Sequence, residues 1–348
     1  MMDKSSKICF VYSIPTTFVK KDIEILHSIS KKVFTIKSPP FKFFFSFLIN
    51  RIKEFLKGIL FIPKSNVLIV WFSDYHAFIP LIISKIFYVK SVLIIGGYDA
   101  ISDKQIGHGI FSKNNLRQKI AKINIKLARE IWVVDKSLSN GCKEAFIQNN
   151  IYSGLINWIP KSYKKIKEVP TGYSSQFWKK IKSKIPKTVL TVANFNNQRV
   201  FKLKGIPFIL KLAKELPEFK FKVIGIASEK IIPENLILPN VEFIKQKNKT
   251  QLREYFSESQ FYIQASRLEG LPNALCEAML CECIPIGNAV FGIPSAIGDT
   301  GLLFKGSKEI KKVSKFLKSH KNNTGRNARN RIISLFSEEK RINEFKTT

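Results

Sequence analysis

The sequence lacks the cysteine and histidine patterns that stabilise small secreted proteins or hold zinc. It has five cysteines, an odd number, with no CxxC pair and no histidine at metal-ligand spacing. They are Cys9, Cys142, Cys276, Cys281 and Cys283. This pattern argues against a disulfide framework and a structural zinc site, and it favours a protein of the reducing cytoplasm.

Long apolar runs are also missing. The first residues, MMDKSSKICFVYSI, have neither the apolar stretch nor the small-residue cleavage site of a signal peptide. No uncharged apolar run reaches the roughly 20 residues of a membrane span. We therefore expect a cytoplasmic protein, and any contact with a membrane should be peripheral, from the cytoplasmic face.

Acidic residues are scarce compared with basic ones. The chain has 26 Asp and Glu against 58 Lys and Arg, which gives a formal net charge of +32. Such a charge attracts anions, so nucleic acid, anionic lipid and phosphorylated substrates are all candidate partners. A biased composition would also explain the charge, because the lysines are spread over nearly every segment. The sequence leaves both explanations open.

The length and the order of elements predict two α/β domains. The 348 residues, 45% of them hydrophobic, are enough for two cores. Short Val- and Ile-rich runs alternate with helical patterns, which is typical of parallel sheets covered by helices. In the first half, the predicted strands are 8–12, 33–36, 67–72, 92–95 and 131–134, and the predicted helices are near 18–31, 41–56, 76–87, 115–129 and 137–149.

A second alternation follows a Lys-, Ser- and Pro-rich stretch at 161–187. Its predicted strands are 189–193, 221–226, 241–244, 261–264 and 284–286, and its predicted helices are near 204–215, 251–257 and 273–279. We therefore predict two doubly wound Rossmann-like domains, 1–165 and 166–325, which face each other across a cleft. A helical tail, 326–348, should pack back towards the first domain.

The segment QASRLEGLPNALCEAM combines groups that suit a phosphorylated ligand, between a predicted strand and a predicted helix. Pro272 fits the start of the helix, where a missing N–H costs nothing, and the free amides there favour an anion. Gly270 permits close approach to the main chain. A carboxylate such as Glu277 or Glu269 accepts two hydrogen bonds from a sugar diol. For an isolated pair of glutamates, an interaction with the helix dipole is the simpler explanation.

The longer segment 266–304, SRLEGLPNALCEAMLCECIPIGNAVFGIPSAIGDTGLLF, resembles the nucleotide-binding segment of the family 4 glycosyltransferases of GT-B fold. Weaker similarity extends to VPTGYSSQFW, LKGI and NVEFIKQKNKTQLREYFSESQFYIQAS, so the resemblance covers most of 165–345. It implies a first domain that binds the acceptor and a second domain that binds a nucleotide sugar.

The resemblance also implies roles for residues of the second domain. Glu277 would hold the ribose, and Glu269 would lie against the donor sugar as a catalytic residue. Lys204 would neutralise the leaving diphosphate, although a solvated lysine at a helix start is the alternative. The amides that would receive the phosphates belong to Gly270, Leu271, Pro272 and Asn273.

The sequence departs from the family pattern after the first strand of the second domain. An arginine is usual there, and Asn194 takes its place. Arg199, in the following loop, is the candidate catalytic substitute for the missing charge.

The first domain departs from the pattern as well. Gly96 and Gly97 replace the usual His-Gly pair, and a glycine pair at the end of a strand permits close ligand approach. His76 and His108 are the candidates for the missing histidine, with surface positions as the alternative. The residues Thr16 and Thr17 replace a glycine-rich turn, and they either bind the acceptor or cap the next helix.

The segment PFKFFFSFLINRIKEFLKG mixes aromatic and basic residues. Such a helix can lie in the interface of an anionic membrane, through residues 41–57. The alternative is an ordinary helix that packs its apolar face on the sheet. The resemblance slightly favours the membrane.

Together these features predict a retaining, metal-independent hexosyltransferase. It would use a UDP- or GDP-linked sugar, need no cofactor, and act on a glycan or lipid-linked glycan in lipopolysaccharide O-antigen, capsule or exopolysaccharide synthesis. A sugar-nucleotide epimerase of the same fold is the first alternative. A basic nucleic-acid-binding protein is the second, although no binding module supports it and we expect no nucleic acid partner.

Overall fold

The protein is described here by a computed structural model that covers residues 5–228, 231–232, 237–319 and 325–348. These residues divide into two compact units. The first unit contains the described residues up to Cys142, together with Ile151–Thr171 and Glu339–Thr348. The second contains Lys143–Asn150 and the described residues of Gly172–Glu338.

The strands and helices follow one another in the order that the sequence predicts. The strands are β1 (Lys7–Tyr12), β2 (Lys32–Lys37), β3 (Val67–Trp71), β4 (Lys90–Ile95), β5 (Ile101–Ser102), β6 (Glu130–Val133), β7 (Tyr152–Ser153), β8 (Ile166–Glu168), β9 (Ile185–Phe195), β10 (Lys220–Ile226), β11 (Val241–Lys245), β12 (Ser259–Gln264), β13 (Ile284–Asn288) and β14 (Leu302–Phe304). The helices are α1 (Thr17–Ile29), α2 (Phe44–Phe61), α3 (Tyr75–Ile86), α4 (Leu116–Leu127), α5 (Ser137–Asn140), α6 (Lys143–Asn149), α7 (Leu155–Trp158), α8 (Gln198–Leu203), α9 (Ile206–Glu215), α10 (Lys249–Glu258), α11 (Asn273–Leu280), α12 (Gly292–Ile297), α13 (Ile310–Ser319), α14 (Gly325–Phe336) and α15 (Glu338–Lys346).

The first unit is built on a six-stranded sheet in the order β2-β1-β3-β4-β6-β8. All neighbouring strands run parallel. The strand β3 is buried along its whole length, as expected for an unbroken Val, Leu and Ile run with helices on both faces. The five predicted strands of this half are all present. The sixth strand, β8, lies in the stretch predicted as a linker. It was not predicted because its three residues, IKE, are partly or fully exposed and form no apolar run.

The second unit has a six-stranded parallel sheet in the order β11-β10-β9-β12-β13-β14. Its five predicted strands are present, and the GLLF segment adds β14. The predicted fold class, two doubly wound parallel sheets, is therefore confirmed.

Both sheets have a topological switch point, where consecutive connections leave in opposite directions. In the first unit it lies between β1 and β3, and in the second unit between β9 and β12. Ligands of doubly wound folds bind outside the carboxyl ends of the strands at such points. Each unit thus has one position at which a ligand site is expected.

The division into units differs from the predicted boundaries of 165 and 325. After Lys143–Asn150, which belong to the second unit, the chain returns to the first unit and leaves it again between Thr171 and Gly172. The predicted tail consists of two helices, of which α14 belongs to the second unit and most of α15 to the first. The helix α6 belongs to the second unit, where its Glu144 lies 3.1 Å from the Lys305 Nζ.

A buried ion pair fixes α15 in the first unit. Arg341 Nη2 donates to Asp22 Oδ2 at 2.6 Å, and its Nη1 donates to the Val169 carbonyl at 3.0 Å. Trp71 Nε1 donates to the same carboxylate at 2.8 Å. Both charges are almost completely buried, and these hydrogen bonds compensate for their lost hydration.

Candidate functional site

The predicted donor segment lies at the switch point of the second unit. It leaves β12 at Gln264 and enters α11 at Asn273. Pro272 is the N-cap, with an extended backbone (φ −75°, ψ 107°). The first N–H groups of a helix have no acceptor within the helix. Main-chain donors are therefore present at the carboxyl edge of the sheet, where the sequence predicts phosphate binding.

The turn between α8 and α9 packs directly on this segment. Gly205 has a left-handed backbone (φ 70°), and a Cβ at this position would overlap the Ala265 carbonyl oxygen. Arg267 N donates to the Leu203 carbonyl at 2.9 Å. Glycine is required at 205 for its conformation and for this close packing.

The packing of the turn brings two predicted site residues together. Lys204 Nζ lies 2.6 Å from Glu269 Oε1, and Gln264 Nε2 donates to the same oxygen at 3.0 Å. Both members of the ion pair remain partly exposed. The lysine can donate to phosphate oxygens, and the carboxylate can accept from sugar hydroxyls.

The predicted ribose ligand, Glu277, lies one turn into α11 and is buried. Asn273, at the start of the helix, accepts a hydrogen bond from the Tyr173 hydroxyl at 2.9 Å through Oδ1. Its side chain is therefore engaged within the protein, so its predicted contact with phosphate falls to the main-chain amide.

The GIP part of the motif has a packing role that the sequence did not reveal. Gly292 N donates to the Gly270 carbonyl at 3.0 Å, and a Cβ on Gly292 would overlap that oxygen. The start of α12 therefore rests on the loop that carries Gly270 and the buried Leu271. Gly292 is a positioning residue for the predicted phosphate loop, and the sequence showed it only as part of the GIP motif.

Asn194, which takes the place of the family arginine and is predicted to contact the donor, and Arg199, the predicted catalytic substitute, are both exposed. The Asn194 Oδ1 lies against Gly225, where a Cβ would come within 2.6 Å of it. Arg199 lies on α8, five positions before Lys204, so the two side chains project from different sides of the helix. The role of Arg199 stays a prediction.

The glycine pair of the first unit has a protein partner. Gly96 N and Gly97 N each donate to Asp99 Oδ1 at 3.1 Å, and Ser73 N donates to Oδ2 at 2.9 Å. Burial raises the pKa of Asp99 to about 6, although these amides lower it. A Cβ on Gly96 would also overlap the Phe72 ring. The amides predicted to be open to a ligand are thus occupied by Asp99, a residue that the sequence analysis missed.

His76 is buried in the first turn of α3. Its Nε2 lies 2.7 Å from the Trp71 carbonyl, to which it donates. Burial lowers the pKa of the imidazole, which favours the neutral form. With Nε2 bound to the main chain, this position supports a role in orienting α3 rather than the predicted catalytic role.

The remaining predicted residues of the first unit are dispersed. His108 pairs with Asp103 in a β-bridge, and its ring lies edge-on to Tyr98 at 5.2 Å between centroids. Thr17 is exposed at the start of α1. Thr16 is the N-cap, but its hydroxyl makes no capping hydrogen bond.

A pocket of about 540 Å³ lies at the switch point of the first unit. Thr16 and His76 line it, whereas Gly96, Gly97 and His108 do not. Four charged wall residues were missed in the sequence, namely Arg51, Asp74, Asp99 and Arg117. Arg117 Nε donates to Asp74 Oδ1 at 2.8 Å, and despite burial this ion pair lowers the pKa of Asp74. Residues from six separate segments meet here, so no local sequence signal could identify the pocket.

The helix α2 buries a face that includes charged residues and exposes its apolar face, unlike an ordinary amphipathic helix. Its inward residues repeat at helical spacing and include a charged pair, and they are Phe47, Arg51, Glu54, Gly58 and Phe61. Eleven large apolar residues around this helix are exposed, and they are Phe41, Phe43, Phe44, Phe45, Leu48, Ile49, Ile52, Phe55, Leu56, Ile59 and Leu60. The alternative of a helix that packs its apolar face on the sheet is therefore wrong. None of the described helices is both long enough and apolar enough to cross a membrane.

No group of three or more His, Cys, Asp or Glu side chains in the described part of the chain is arranged to hold a metal ion.

Comparison with known proteins agrees with this architecture. Residues 175–334 match the model of the family described as glycosyl transferases group 1. No curated protein sequence matches the chain.

Solved structures are similar over nearly the whole chain. Sucrose-phosphate synthase from Thermosynechococcus elongatus has 15% identity and a TM-score of 0.75, with 98% of each chain covered. HepE of Anabaena, in complex with UDP and glucose, has 12% identity and a TM-score of 0.70, with 98% of this chain and 99% of that chain covered. A glycosyltransferase from Rickettsia africae has 12% identity and a TM-score of 0.67, with 98% and 97% covered. The chain therefore has the GT-B fold of these structures, and residues 175–334, which lie in its second unit, match the family of group 1 glycosyl transferases.

Proposed function

We propose that the chain is a retaining hexosyltransferase that moves a sugar from a nucleoside diphosphate to a hydroxyl group. Its product would belong to a surface polysaccharide, such as lipopolysaccharide O-antigen, capsule or exopolysaccharide. The observation that carries the proposal is the Lys204–Glu269 pair, held beside the start of α11 at the switch point of the second unit.

In this proposal the donor is bound by groups that are already in place. The first amides of α11 and the Lys204 ammonium donate to the diphosphate, because both supply positive charge at one end of the loop. Glu277 accepts from the ribose hydroxyls. Glu269 accepts from a hydroxyl of the donor sugar, and its ion pair with Lys204 orients both side chains.

The same groups supply the transition-state stabilisation. As the bond from the anomeric carbon to the phosphate oxygen breaks, negative charge grows on the departing diphosphate, and Lys204 and the α11 amides stabilise it. The acceptor oxygen bonds to the anomeric carbon on the same face, and its proton passes to the departing phosphate. No metal ion is required, since the lysine and the amides supply the charge that a divalent ion would otherwise provide.

A screen of nucleotides tests the donor proposal. HepE was solved with UDP and glucose, so UDP-sugars are the first probes and GDP-sugars the second. Binding stabilises the fold by about 2.7 kcal/mol when the ligand is at 100 times its Kd, which a thermal shift detects readily. A donor that binds is then incubated with the protein alone. Slow hydrolysis at most agrees with a transferase, whereas conversion to a second sugar nucleotide identifies an epimerase, and binding of no nucleotide contradicts the proposal.

We also propose that α2 places the protein on the cytoplasmic face of an anionic membrane. The exposed apolar face of α2 is accompanied by the exposed Lys53 and Lys57 of the same helix and by Lys42 just before it, and this combination suits a bilayer surface with anionic headgroups. Contiguous apolar surface of this kind is rare on proteins without a partner.

Sedimentation with vesicles tests the membrane contact. Phe44 and Phe45 are 73% and 77% exposed, so changing both to Ser removes apolar surface without disturbing the core. The matched control changes Phe146 and Ile147, an exposed apolar pair of the second unit, to Ser. We expect wild type and control to bind phosphatidylglycerol vesicles more than phosphatidylcholine vesicles, and the α2 variant to lose binding. Equal binding by all three proteins contradicts this proposal.

A further inference from the structure

The pocket of the first unit contains a charged side chain with unused hydrogen-bond donors. Arg51 reaches its wall from α2, and only 14% of the side chain is exposed. Its Nη2 donates to Ser38 Oγ at 3.1 Å and to the Glu54 carboxylate. Its Nε and Nη1 are buried and have no acceptor among the described residues. A buried donor without an acceptor costs about 1–3 kcal/mol, so this arrangement is favourable when a ligand supplies oxygen atoms.

A second residue of the pocket wall also has a buried polar group without a hydrogen-bond partner. The Thr16 hydroxyl, at the end of the loop after β1, is buried without a hydrogen-bond partner in the described part of the chain. The two residues reach the pocket from different elements, one from the switch-point loop and one from α2. Unsatisfied polar groups on two sides of one pocket indicate a polar ligand.

The acidic groups of the pocket are already engaged. Asp74 is paired with Arg117, and Asp99 accepts from three main-chain amides. Glu54 is the partner of Arg51, but burial raises its pKa to about 7, so near neutral pH it only partly compensates the guanidinium. The positive charge at Arg51 is therefore only partly compensated by its partner, which favours an anionic group at this wall of the pocket.

The other walls are aromatic. Tyr75 and Tyr98 line the pocket, and Phe41 connects it to the apolar segment of α2. The Phe47 ring packs on Tyr75 with 5.1 Å between centroids. A ligand with an anionic group at Arg51 would have an apolar or sugar part against these rings, on the side next to α2.

We propose that this pocket binds a phosphate group of the acceptor, with Arg51 donating through one of its unused guanidinium N–H groups, at Nε or Nη1, and Thr16 through its hydroxyl. The guanidinium N–H gives a charge-assisted hydrogen bond to one phosphate oxygen, and the hydroxyl can serve a second. The inference rests on the proposed function, because it names the acceptor as a phosphate ester. A lipid phosphate and a soluble sugar or glycerol phosphate carry this same chemistry.

The test compares two variants that differ only at Arg51. Removing Arg51 alone would leave Glu54 buried without its partner, so both proteins carry Glu54→Gln, and one also carries Arg51→Gln. Calorimetry measures binding of inorganic phosphate and glycerol 3-phosphate. Vesicles of phosphatidylcholine with and without dioleoyl phosphatidate supply the lipid phosphate. UDP binding reports separately on the second unit.

We expect E54Q to bind at least one phosphate probe, and the double variant to bind it at least about tenfold more weakly, since a charge-assisted hydrogen bond is lost. Binding of glycerol 3-phosphate indicates a soluble acceptor, and binding of phosphatidate vesicles alone indicates a lipid acceptor. Equal affinity of the two variants for every probe, or no binding by wild type and E54Q, overturns the inference. Failure of every protein to bind UDP would instead contradict the proposed nucleotide-sugar site in the second unit, and the phosphate probes would still decide this inference.

Discussion

Gly205→Ala perturbs the predicted donor site without touching a charged group. The substitution lowers the free energy of unfolding in two ways, through the backbone conformation and through steric overlap. A residue with a side chain at φ 70° loses about 1–2 kcal/mol relative to glycine. The new Cβ would also overlap the Ala265 carbonyl, and relieving such overpacking costs typically about 1–3 kcal/mol more. We expect a total loss of about 2–5 kcal/mol in the free energy of unfolding.

The second cost should also weaken donor binding. The turn can relieve the overlap only by moving away from the β12–α11 loop, and Lys204 would move with it, away from Glu269. The loss of one charge-assisted hydrogen bond to the diphosphate corresponds to about 1.5–3 kcal/mol, or roughly 10- to 150-fold in the Kd of a nucleotide.

Gly306→Ala is the matched control. Gly306 has the same φ of 70° in the same unit, with ψ at −172°, a conformation open essentially only to glycine, but its Cβ would meet only the flexible end of Gln148, at 3.3 Å. Urea denaturation and calorimetry with the best nucleotide compare the two variants. We expect Gly306→Ala to lose about 1–3 kcal/mol through backbone strain and to keep its nucleotide affinity. Indistinguishable nucleotide affinity in the two variants would refute the role of the turn.

Two further predictions concern the buried charges of the first unit. Asp22→Ala leaves Arg341 buried without its partner and should lower the free energy of unfolding, measured by urea denaturation, by about 3–5 kcal/mol. The control, Lys167→Ala, breaks an exposed pair with Glu344 and should lower it by less than about 1 kcal/mol. Similar losses in the two variants would show that α15 is not held by the buried pair. Because the pKa of Glu54 is raised from 4.5 to about 7 in the folded protein, its stabilising effect is complete below pH 4.5 and is lost as the pH rises through 7. Glu54→Gln should therefore gain up to about 3 kcal/mol relative to wild type between pH 4 and 8, and a constant difference would contradict the raised pKa.

The sequence predicted the fold well because the buried strands are unbroken runs of apolar, mostly β-branched residues. β3, with the sequence VLIVW, is buried along its whole length and was found from such a run, whereas β12, SQFYIQ, is equally buried but only its FYI part gave this signal. The missed strands β5, β7, β8 and β14 have two or three residues each, and tertiary pairing rather than local pattern determines them.

The two halves of the site differ in how far the sequence could predict them. Most of the donor residues are close in the chain, so the motif shows them directly. The resemblance assigned Lys204 and Glu269 to the same donor, but their direct contact was not predicted. In the first unit, Gly96 and Gly97 looked open to a ligand, but the carboxylate two positions further on occupies their amides. Local sequence does not show where such a side chain folds back.

The orientation of α2 shows a further limit. Its sequence is apolar on most of its circumference, so periodicity alone could not decide which face is buried. The structure buries Glu54 and Gly58 because the small glycine lets α2 approach Ile83 of α3 closely. The apolar residues are then left outside.

The most direct test of a nucleotide-sugar site in the second unit is calorimetry with the nucleotide identified in the thermal-shift screen. Glu277→Ala is compared with Glu282→Ala, which changes a carboxylate just beyond the end of α11 that pairs with Lys180 instead. We predict that Glu277→Ala abolishes measurable binding while its far-UV spectrum stays that of wild type, and that Glu282→Ala binds normally. Unchanged affinity of Glu277→Ala for every UDP- and GDP-linked donor that the wild type binds would contradict the assignment.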